Sequence, residues 1–262
     1  MDERKCHEFV DTRSNLEARL DTNTRYGDNI LKTWLPPHLE VAEGEKVLDI
    51  GCGDGTQLRL VAEVVARDHH CTGIDRDPEM IRTATAKSAE FRPSVSFREM
   101  DMDTIGDPDS PFADASFDLI YSVYAFYYSR HGFKTLDALR RKLRPSGRIS
   151  IVGPYKDNNR AWFEFLAHFM EMPASIMVST TTFMERILDY ARKNAAEVQT
   201  HEFVNRITLP SCKALRDYWA ANIYYEPSLN VGFERCARRH FEHHDTFVYF
   251  KKAQMITMKT AP

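Results

Sequence analysis

The chain has 262 residues, of which 43% are hydrophobic and 28% charged. This length is sufficient for one globular α/β domain with a full hydrophobic core. The net charge of −3 excludes the strongly basic surface that is typical of nucleic-acid-binding domains. We therefore expect no nucleic-acid partner.

Neither a membrane segment nor a disulfide framework is indicated. No apolar run approaches the roughly 20 residues that cross a bilayer, and residues 1–8 lack the apolar segment of a signal peptide. These features predict a cytoplasmic protein without a membrane partner. The cysteines are scattered and form no C-x-x-C pair, so they are interpreted as small core or loop residues. They are Cys6, Cys52, Cys71, Cys212 and Cys236.

Helical and strand patterns alternate along most of the chain. Residues 5–37 predict an N-terminal helical cap that Pro36 and Pro37 end, and the core sheet with its helices is expected over 46–209. Alternation of this kind is typical of a parallel sheet with helices on both faces. Core helices are expected at 57–66, 78–90 and 134–143.

Three closely spaced glycines follow the first apolar strand. Gly51, Gly53 and Gly55 predict a tight turn whose backbone can contact a ligand. A dinucleotide site would require G-x-G-x-x-G, whereas Thr56 stands at the position of the third glycine of that pattern. Asp49, just before the turn, would attract a cationic amine and repel a pyrophosphate. The turn therefore indicates a cofactor other than a dinucleotide.

The next apolar strand also ends in a carboxylate. Asp75 lies about 20 residues after the glycines, where doubly wound folds place the acid that binds a ribose. Strand-like segments follow at 95–102 and 116–122, and a turn is expected at 143–148.

Together these segments resemble the class I S-adenosylmethionine-dependent methyltransferases, whose first motif has the form D-x-G-x-G-x-G. Residues 95–102 resemble the third strand and the adenine-contacting turn of that family, and residues 116–122 resemble its fourth strand. Residues 143–148 resemble its L-x-P-G-G-x turn, with Ser146 replacing the first glycine. The resemblance covers residues 40–155. It implies a Rossmann-like, doubly wound, seven-stranded and mostly parallel sheet with a helical lid.

The resemblance also implies the cofactor, S-adenosylmethionine, with S-adenosylhomocysteine as product. Asp49 and the backbone of Gly51 and Gly53 would hold the amino-acid end, and Asp75 the ribose diol. Asp101 and the backbone of Met102 would contact the adenine. The other residues assigned to the cofactor site are Tyr26, Cys52, Arg76 and Ser122. Tyr26 has packing of its helix as an alternative role, and Arg76 has that of an exposed charge.

An aromatic segment follows the fourth strand, where relatives often have Leu-His-His. Tyr124, Tyr127, Tyr128 and His131 are the candidates for acceptor binding and catalysis. Aromatic rings attract cations, and His131 is the nearest candidate base, while Phe126 is expected to pack inward. Methyl transfer depends chiefly on alignment, which favours a positional mechanism over a base.

The C-terminal half predicts additions to the same single domain, 1–262. They are a lid over 155–180, a helical insertion over 210–245 and a last strand over 246–258. Trp219, Tyr224 and Tyr225 either line an acceptor pocket or form the core of the insertion. His240, His243 and His244 have helical spacing, but no acid pair or cysteine completes a metal site. No metal is expected.

The predicted function is methyl transfer from S-adenosylmethionine to an oxygen or nitrogen of a small molecule. Two alternatives are C-methylation of an unsaturated or enol-like acceptor and non-catalytic binding of S-adenosylmethionine. The oligomeric state is left open, with a homodimer among the alternatives.

Overall fold

The computed structural model describes residues 13–172 and 174–261, with side chains at 14–172 and 182–261. Residues 5–12 of the predicted cap, Cys6 and the side chains of the lid from 173 onwards lie outside the described residues. The strands are β1 (Val47–Ile50), β2 (Cys71–Asp75), β3 (Val95–Glu99), β4 (Phe117–Val123), β5 (Leu143–Pro154), β6 (Glu197–Leu209) and β7 (Phe247–Lys259).

The strands form one sheet in the order β3-β2-β1-β4-β5-β7-β6. The pairs β1/β2, β1/β4, β2/β3 and β4/β5 are parallel, and β7 is antiparallel to β5. This topology confirms the doubly wound, Rossmann-like fold class. The strand order reverses between β1 and β4, and ligands bind at such a switch point, outside the carboxyl ends of the strands.

Helices connect the strands. They are α1 (Arg13–Arg25), α2 (Leu31–His38), α3 (Thr56–Val65), α4 (Pro78–Lys87), α5 (Phe133–Lys142), α6 (Arg160–Leu166), α7 (Ala174–Asn194), α8 (Cys212–Ala220) and α9 (Asn230–Phe241). The start of α4 follows from its sequence, because the Asp77 side chain accepts a hydrogen bond from the Glu79 N–H and Pro78 occupies the first turn.

Pro36 and Pro37 lie in the last turn of α2, which ends at His38, one residue beyond the predicted end of the cap at 37. Proline lacks the N–H but has a φ that suits a helix, and a helix this short loses few backbone bonds to it. Helix α6 ends at Leu166, and the apolar residues that follow it, Phe169 among them, pack against buried aromatic residues.

Strand β5 includes the turn expected over 143–148. Its pairing with β4 jumps from Phe117↔Leu143 to Leu119↔Arg148, so several residues of β5 have no partner on β4. Ser146, within this excursion, has a φ of +62°, the left-handed conformation for which glycine is preferred.

The chain divides into two compact units. The sheet unit comprises Leu31–Lys156, Ser179–Phe203 and Ala253–Pro262. In it both faces of β1 are buried, since Val47 belongs to one apolar cluster and Leu48 and Ile50 to another. Continuous burial of this kind is expected of a parallel strand with helices on both faces.

The second compact unit, the aromatic unit, comprises residues 13–30 of the described chain, Asp157–Val178 and Val204–Lys252. Trp219 is fully buried there and stacks on Phe233 with ring centroids 5.6 Å apart. Tyr224 is also buried, and Tyr225 packs against the same cluster. Of the two roles considered for these residues, the structure shows core packing. The interpretation of the chain as a single domain remains a prediction.

Candidate functional site

The glycine turn after β1 packs closely on its neighbours. The N–H groups of Gly51 and Cys52 both donate to the Ile74 carbonyl, at 2.8 and 3.0 Å, which holds the turn on the end of β2. Gly51 has a φ of +72°, and a Cβ there would overlap that of Ala125. A Cβ at Gly53, by contrast, would meet nothing within 4 Å. Gly51 is therefore required by packing, whereas Gly53 faces open space in which a ligand fits.

Asp75 links the turn to the end of β2. Its carboxylate accepts hydrogen bonds from the Gly53 N–H at 2.9 Å and from the Asp77 N–H at 3.0 Å. A carboxylate has about four lone-pair sites, so two backbone bonds leave acceptor capacity for a diol.

A cleft lies beside the turn, with about 400 Å³ of free space that is partly open to solvent. It brings together six of the residues that the sequence assigned to the site, from the ends of several strands. The lining residues are Gly51, Ile74, Asp75, Arg76, Met100, Asp101, Met102, Ala125 and Tyr128.

The carboxylate of Asp101 is partly engaged by the protein itself. It accepts a hydrogen bond from the Asp103 N–H at 3.0 Å and forms an ion pair with Arg130 at 2.8 Å. On the opposite side, the exposed Arg76 places its guanidinium 5.9 Å from the centroid of the Tyr128 ring, within cation–π range.

Asp49 is buried, with 2% of its surface exposed, and accepts a hydrogen bond from the Tyr121 hydroxyl at 3.0 Å. Burial raises the pKa of Asp49 to about 7, although the bond from Tyr121 lowers it; nearby Asp75 raises it further. Because a buried carboxylate is costly without a cation, this position suits an ammonium group.

Two residues assigned to the cofactor are engaged inside the protein. The Ser122 hydroxyl is fully buried and donates to the Ile50 carbonyl at 2.8 Å. Cys52 is buried, and a Cβ at Gly73 would lie 2.8 Å from its Sγ. Both positions shape the strand ends, and a direct contact with the cofactor stays a prediction.

Residues 125–132, which we call the aromatic loop, are held by Asp103. The Asp103 side chain, 2% exposed, accepts hydrogen bonds from the hydroxyls of Ser129 at 2.5 Å and Thr135 at 2.6 Å, and from the Arg130 N–H at 2.7 Å. Burial raises the pKa of Asp103, but these hydrogen bonds outweigh that effect and hold it below its usual value. Sequence reasoning missed this residue, because its partners lie 26 or more positions away.

The residues predicted to act on the acceptor lie in the aromatic loop or, for Tyr124, just before it, and their environments differ. Tyr124 has a φ of +54° and a buried hydroxyl whose pKa is raised by burial. Tyr127 and Tyr128 are 38% and 59% exposed, with ring centroids 4.6 Å apart. Phe126 packs inward as predicted. His131 is exposed and does not belong to the residues that line the cleft.

Helix α7 carries two residues that pack near the aromatic loop. Phe183 contacts the Tyr127 ring edge-to-face, with centroids 5.8 Å apart. Met184 is fully buried and lies against Gly153, 2.7 Å from where a Cβ would stand. Gln254, which pairs with Gly153, is also buried, and among the described residues its Oε1 has no hydrogen-bond partner. Phe183 therefore extends the aromatic surface of the loop, whereas Met184 and Gln254 belong to the interior.

Tyr26 belongs to the aromatic unit. Its ring packs against the aromatic cluster there, and its carbonyl accepts a hydrogen bond from the Thr208 N–H at 2.9 Å. These contacts match the packing role; the cofactor role of Tyr26 remains a prediction.

Over the described part of the chain, no group of three or more His, Cys, Asp or Glu side chains is placed to hold a metal ion. His240 instead contacts the Thr246 carbonyl at 3.0 Å. No helix within the described ranges is long and apolar enough to cross a membrane.

Residues 47–147, which include β1 to β4 and the cleft, match the family model described as a methyltransferase domain. This match identifies residues 47–147 as a methyltransferase domain of the class I, S-adenosylmethionine-dependent type. The O-methyltransferase rstn1 of Aspergillus nomiae is 30% identical to it over 51% of the chain and 57% of that relative. The chain thus spans little more than half the length of rstn1.

Further comparisons extend beyond residues 47–147. The O-methyltransferase cnsE of Penicillium expansum is 26% identical over 75% of the chain and 67% of that protein. The crystal structure of the YcgJ protein from Bacillus subtilis superposes with a TM-score of 0.55 at 18% identity, covering 88% of this chain and 98% of that one. This likeness supports the fold.

The residues fit the donor of the family, S-adenosylmethionine. Asp49 is a buried carboxylate suited to its ammonium group, and Gly53 faces open space beside the turn. Asp75 and Asp101 border the cleft at the strand ends, where the diol and the adenine would be held.

Proposed function

We propose that the chain transfers a methyl group from S-adenosylmethionine to an oxygen or nitrogen of a small molecule. One observation carries the proposal: three carboxylates, Asp49, Asp75 and Asp101, stand at adjacent strand ends around a glycine turn with open space beside Gly53. Such a site favours a ligand with an ammonium group and a diol, and it repels a pyrophosphate.

When bound, the donor supplies an electrophilic methyl group on a sulfonium, with a neutral thioether as leaving group. The chain itself then has to align the acceptor with that methyl and exclude water. The aromatic surface formed by Tyr127 and Phe183 suits this task. A flat or apolar acceptor is favoured over a strongly charged one.

The names of the relatives bear on the acceptor atom. Both rstn1 and cnsE carry the name O-methyltransferase, which favours oxygen over carbon. The cytoplasmic location, a homodimer and the lack of a nucleic-acid partner remain predictions from the sequence.

Calorimetry tests the cofactor. We expect S-adenosylhomocysteine to bind and NAD to give no signal, because the carboxylates attract an ammonium group and repel phosphate. Incubation with S-adenosylmethionine and a panel of phenols and amines is then expected to form S-adenosylhomocysteine. Binding of NAD without S-adenosylhomocysteine would refute the assignment. Binding without turnover of any acceptor, C-nucleophiles included, would favour the non-catalytic alternative.

The aromatic loop predicts how catalysis responds to substitution. His131→Ala is expected to leave kcat and its pH profile unchanged, because His131 is exposed and lies apart from the cleft lining. Tyr128→Ala is expected to lower kcat/KM more than Tyr128→Phe, since phenylalanine retains the ring beside Arg76. A large loss of kcat in His131→Ala that recovers at alkaline pH would instead identify a general base.

A further inference from the structure

Tyr121 on β4 and Asp49 on β1 form a hydrogen-bonded pair in the interior. The two residues face each other across β4 and β1, in register, and both are almost completely buried. The Tyr121 hydroxyl donates to Oδ2 of Asp49 at 3.0 Å. The two preceding β4 residues, Leu119 and Ile120, are apolar, and the hydroxyl of the next one, Ser122, is bonded to the Ile50 carbonyl, so the phenol is the β4 group that reaches Asp49.

No group that faces Asp49 in the described structure brings a compensating positive charge. The titratable neighbours are Tyr121 on β4, Asp75 and Cys71 on β2, and Cys52 in the glycine turn. Burial raises the pKa of both thiols, that of Cys71 to about 12, so both stay neutral. Asp75 repels the charge on Asp49. The hydrogen bond from Tyr121 is thus the local interaction that favours the carboxylate.

We propose that Tyr121 is a positioning residue of the donor site: its hydroxyl favours the carboxylate form of Asp49, which receives the ammonium group of S-adenosylmethionine, and donor binding expels the proton from the fraction of Asp49 that still carries one. This inference rests on the proposed function. The proton passes from the Asp49 carboxyl group to buffer, and the ammonium group takes its place as the positive partner.

The direction in which donor affinity changes with pH follows from the protonation equilibrium of Asp49. With a pKa near 7, a large fraction of free protein carries the proton on Asp49 at neutral pH. The ammonium group binds the carboxylate in preference to the protonated acid. Affinity therefore rises with pH through this range and levels off above it, with a limiting slope of about tenfold per pH unit on the acid side.

The experiment is titration calorimetry of the full chain with S-adenosylhomocysteine between about pH 5.5 and pH 8.5, in buffers of different ionisation enthalpy. We expect proton release on binding near neutral pH. In Tyr121→Phe the ring is retained and the hydrogen bond is lost, so the rise in affinity moves to higher pH. Binding near pH 6.5 is expected to weaken about tenfold, and the two proteins converge at the alkaline end.

Two controls separate this role from packing. Tyr249→Phe also removes a buried hydroxyl, bonded to Asn23 at 3.2 Å in the aromatic unit, and should leave the pH profile unchanged. Methylthioadenosine lacks the ammonium group, so its affinity should not follow the titration of Asp49. Asp49→Asn should bind S-adenosylhomocysteine weakly and without proton release.

The outcomes are distinguishable. If the unaltered chain fails to bind S-adenosylhomocysteine at every pH, the proposed function itself is wrong. If it binds with no pH dependence and no proton release, or if Tyr121→Phe reproduces its pH profile, the role of Tyr121 is wrong while the function stands. Should Tyr121→Phe not fold, proton release by the unaltered chain and its loss in Asp49→Asn decide whether donor binding expels a proton from Asp49.

Discussion

Gly51→Ala is expected to lower the free energy of unfolding by about 2–5 kcal/mol and to weaken S-adenosylhomocysteine binding at least about a hundredfold. The new Cβ would overlap that of Ala125, and forcing atoms into a packed site costs about 1–3 kcal/mol. The φ of +72° adds about 1–2 kcal/mol for a residue with a Cβ. Relief of the overlap displaces the turn from the cleft. Urea denaturation and calorimetry measure the two effects.

A double variant separates overlap from backbone strain. Ala125→Gly removes the atom that the new Cβ would meet, so Gly51→Ala combined with Ala125→Gly should recover the overlap cost but keep the strain. Gly53→Ala carries the strain alone, because its Cβ points into open space. It should lose only the strain cost of about 1–2 kcal/mol of stability while losing ligand affinity. If Gly51→Ala binds S-adenosylhomocysteine normally, the packing argument for the turn is wrong.

Asp75→Ala is expected to weaken S-adenosylhomocysteine binding by about 1–3 kcal/mol, or about 5- to 150-fold, while the chain stays folded. The substitution removes the acceptor for the ribose hydroxyls. It also frees the N–H groups of Gly53 and Asp77, which loosens the turn. Calorimetry gives the affinity, and circular dichroism checks the fold.

An analogue of the ligand separates the two roles of Asp75. A 2′-deoxy form of S-adenosylhomocysteine should bind the unaltered chain more weakly than the parent compound. In Asp75→Ala the two ligands should bind alike, because the partner of the missing hydroxyl is already gone. Asp75→Asn retains one oxygen for a backbone N–H and should fall between. If Asp75→Ala is folded and discriminates as well as the unaltered chain, the ribose contact lies elsewhere.

The fold and the donor side of the cleft were predictable because their signals are local. An apolar strand, a turn that needs positive φ at Gly51, and a carboxylate at the next strand end all lie within a few residues of each other or at a fixed spacing. Parallel strands bring their carboxyl ends to one edge, so Asp75 and Asp101 had to lie near the glycine turn. The structure places both at the cleft.

The remaining features depend on contacts between distant positions. Asp49 and Tyr121 are 72 residues apart, and only the register of β1 against β4 shows that they pair. The partners of Asp103 follow β4 in the chain, whereas Asp103 precedes it. The contact of Phe183 on α7 with Tyr127 joins residues more than 50 positions apart. His131 is close to the site along the chain yet exposed, because sequence proximity does not determine which way a loop residue points.

The anchoring of the aromatic loop by Asp103 bears on which of its side chains can be exchanged. The bonds to Ser129, Thr135 and the Arg130 backbone fix the course of the main chain from outside the loop. The rings of Tyr127 and Tyr128 take no part in these bonds and are partly exposed. These two side chains can therefore be replaced by others without loss of the contacts that set the backbone of the loop, which makes them the natural positions for altering what the cleft admits.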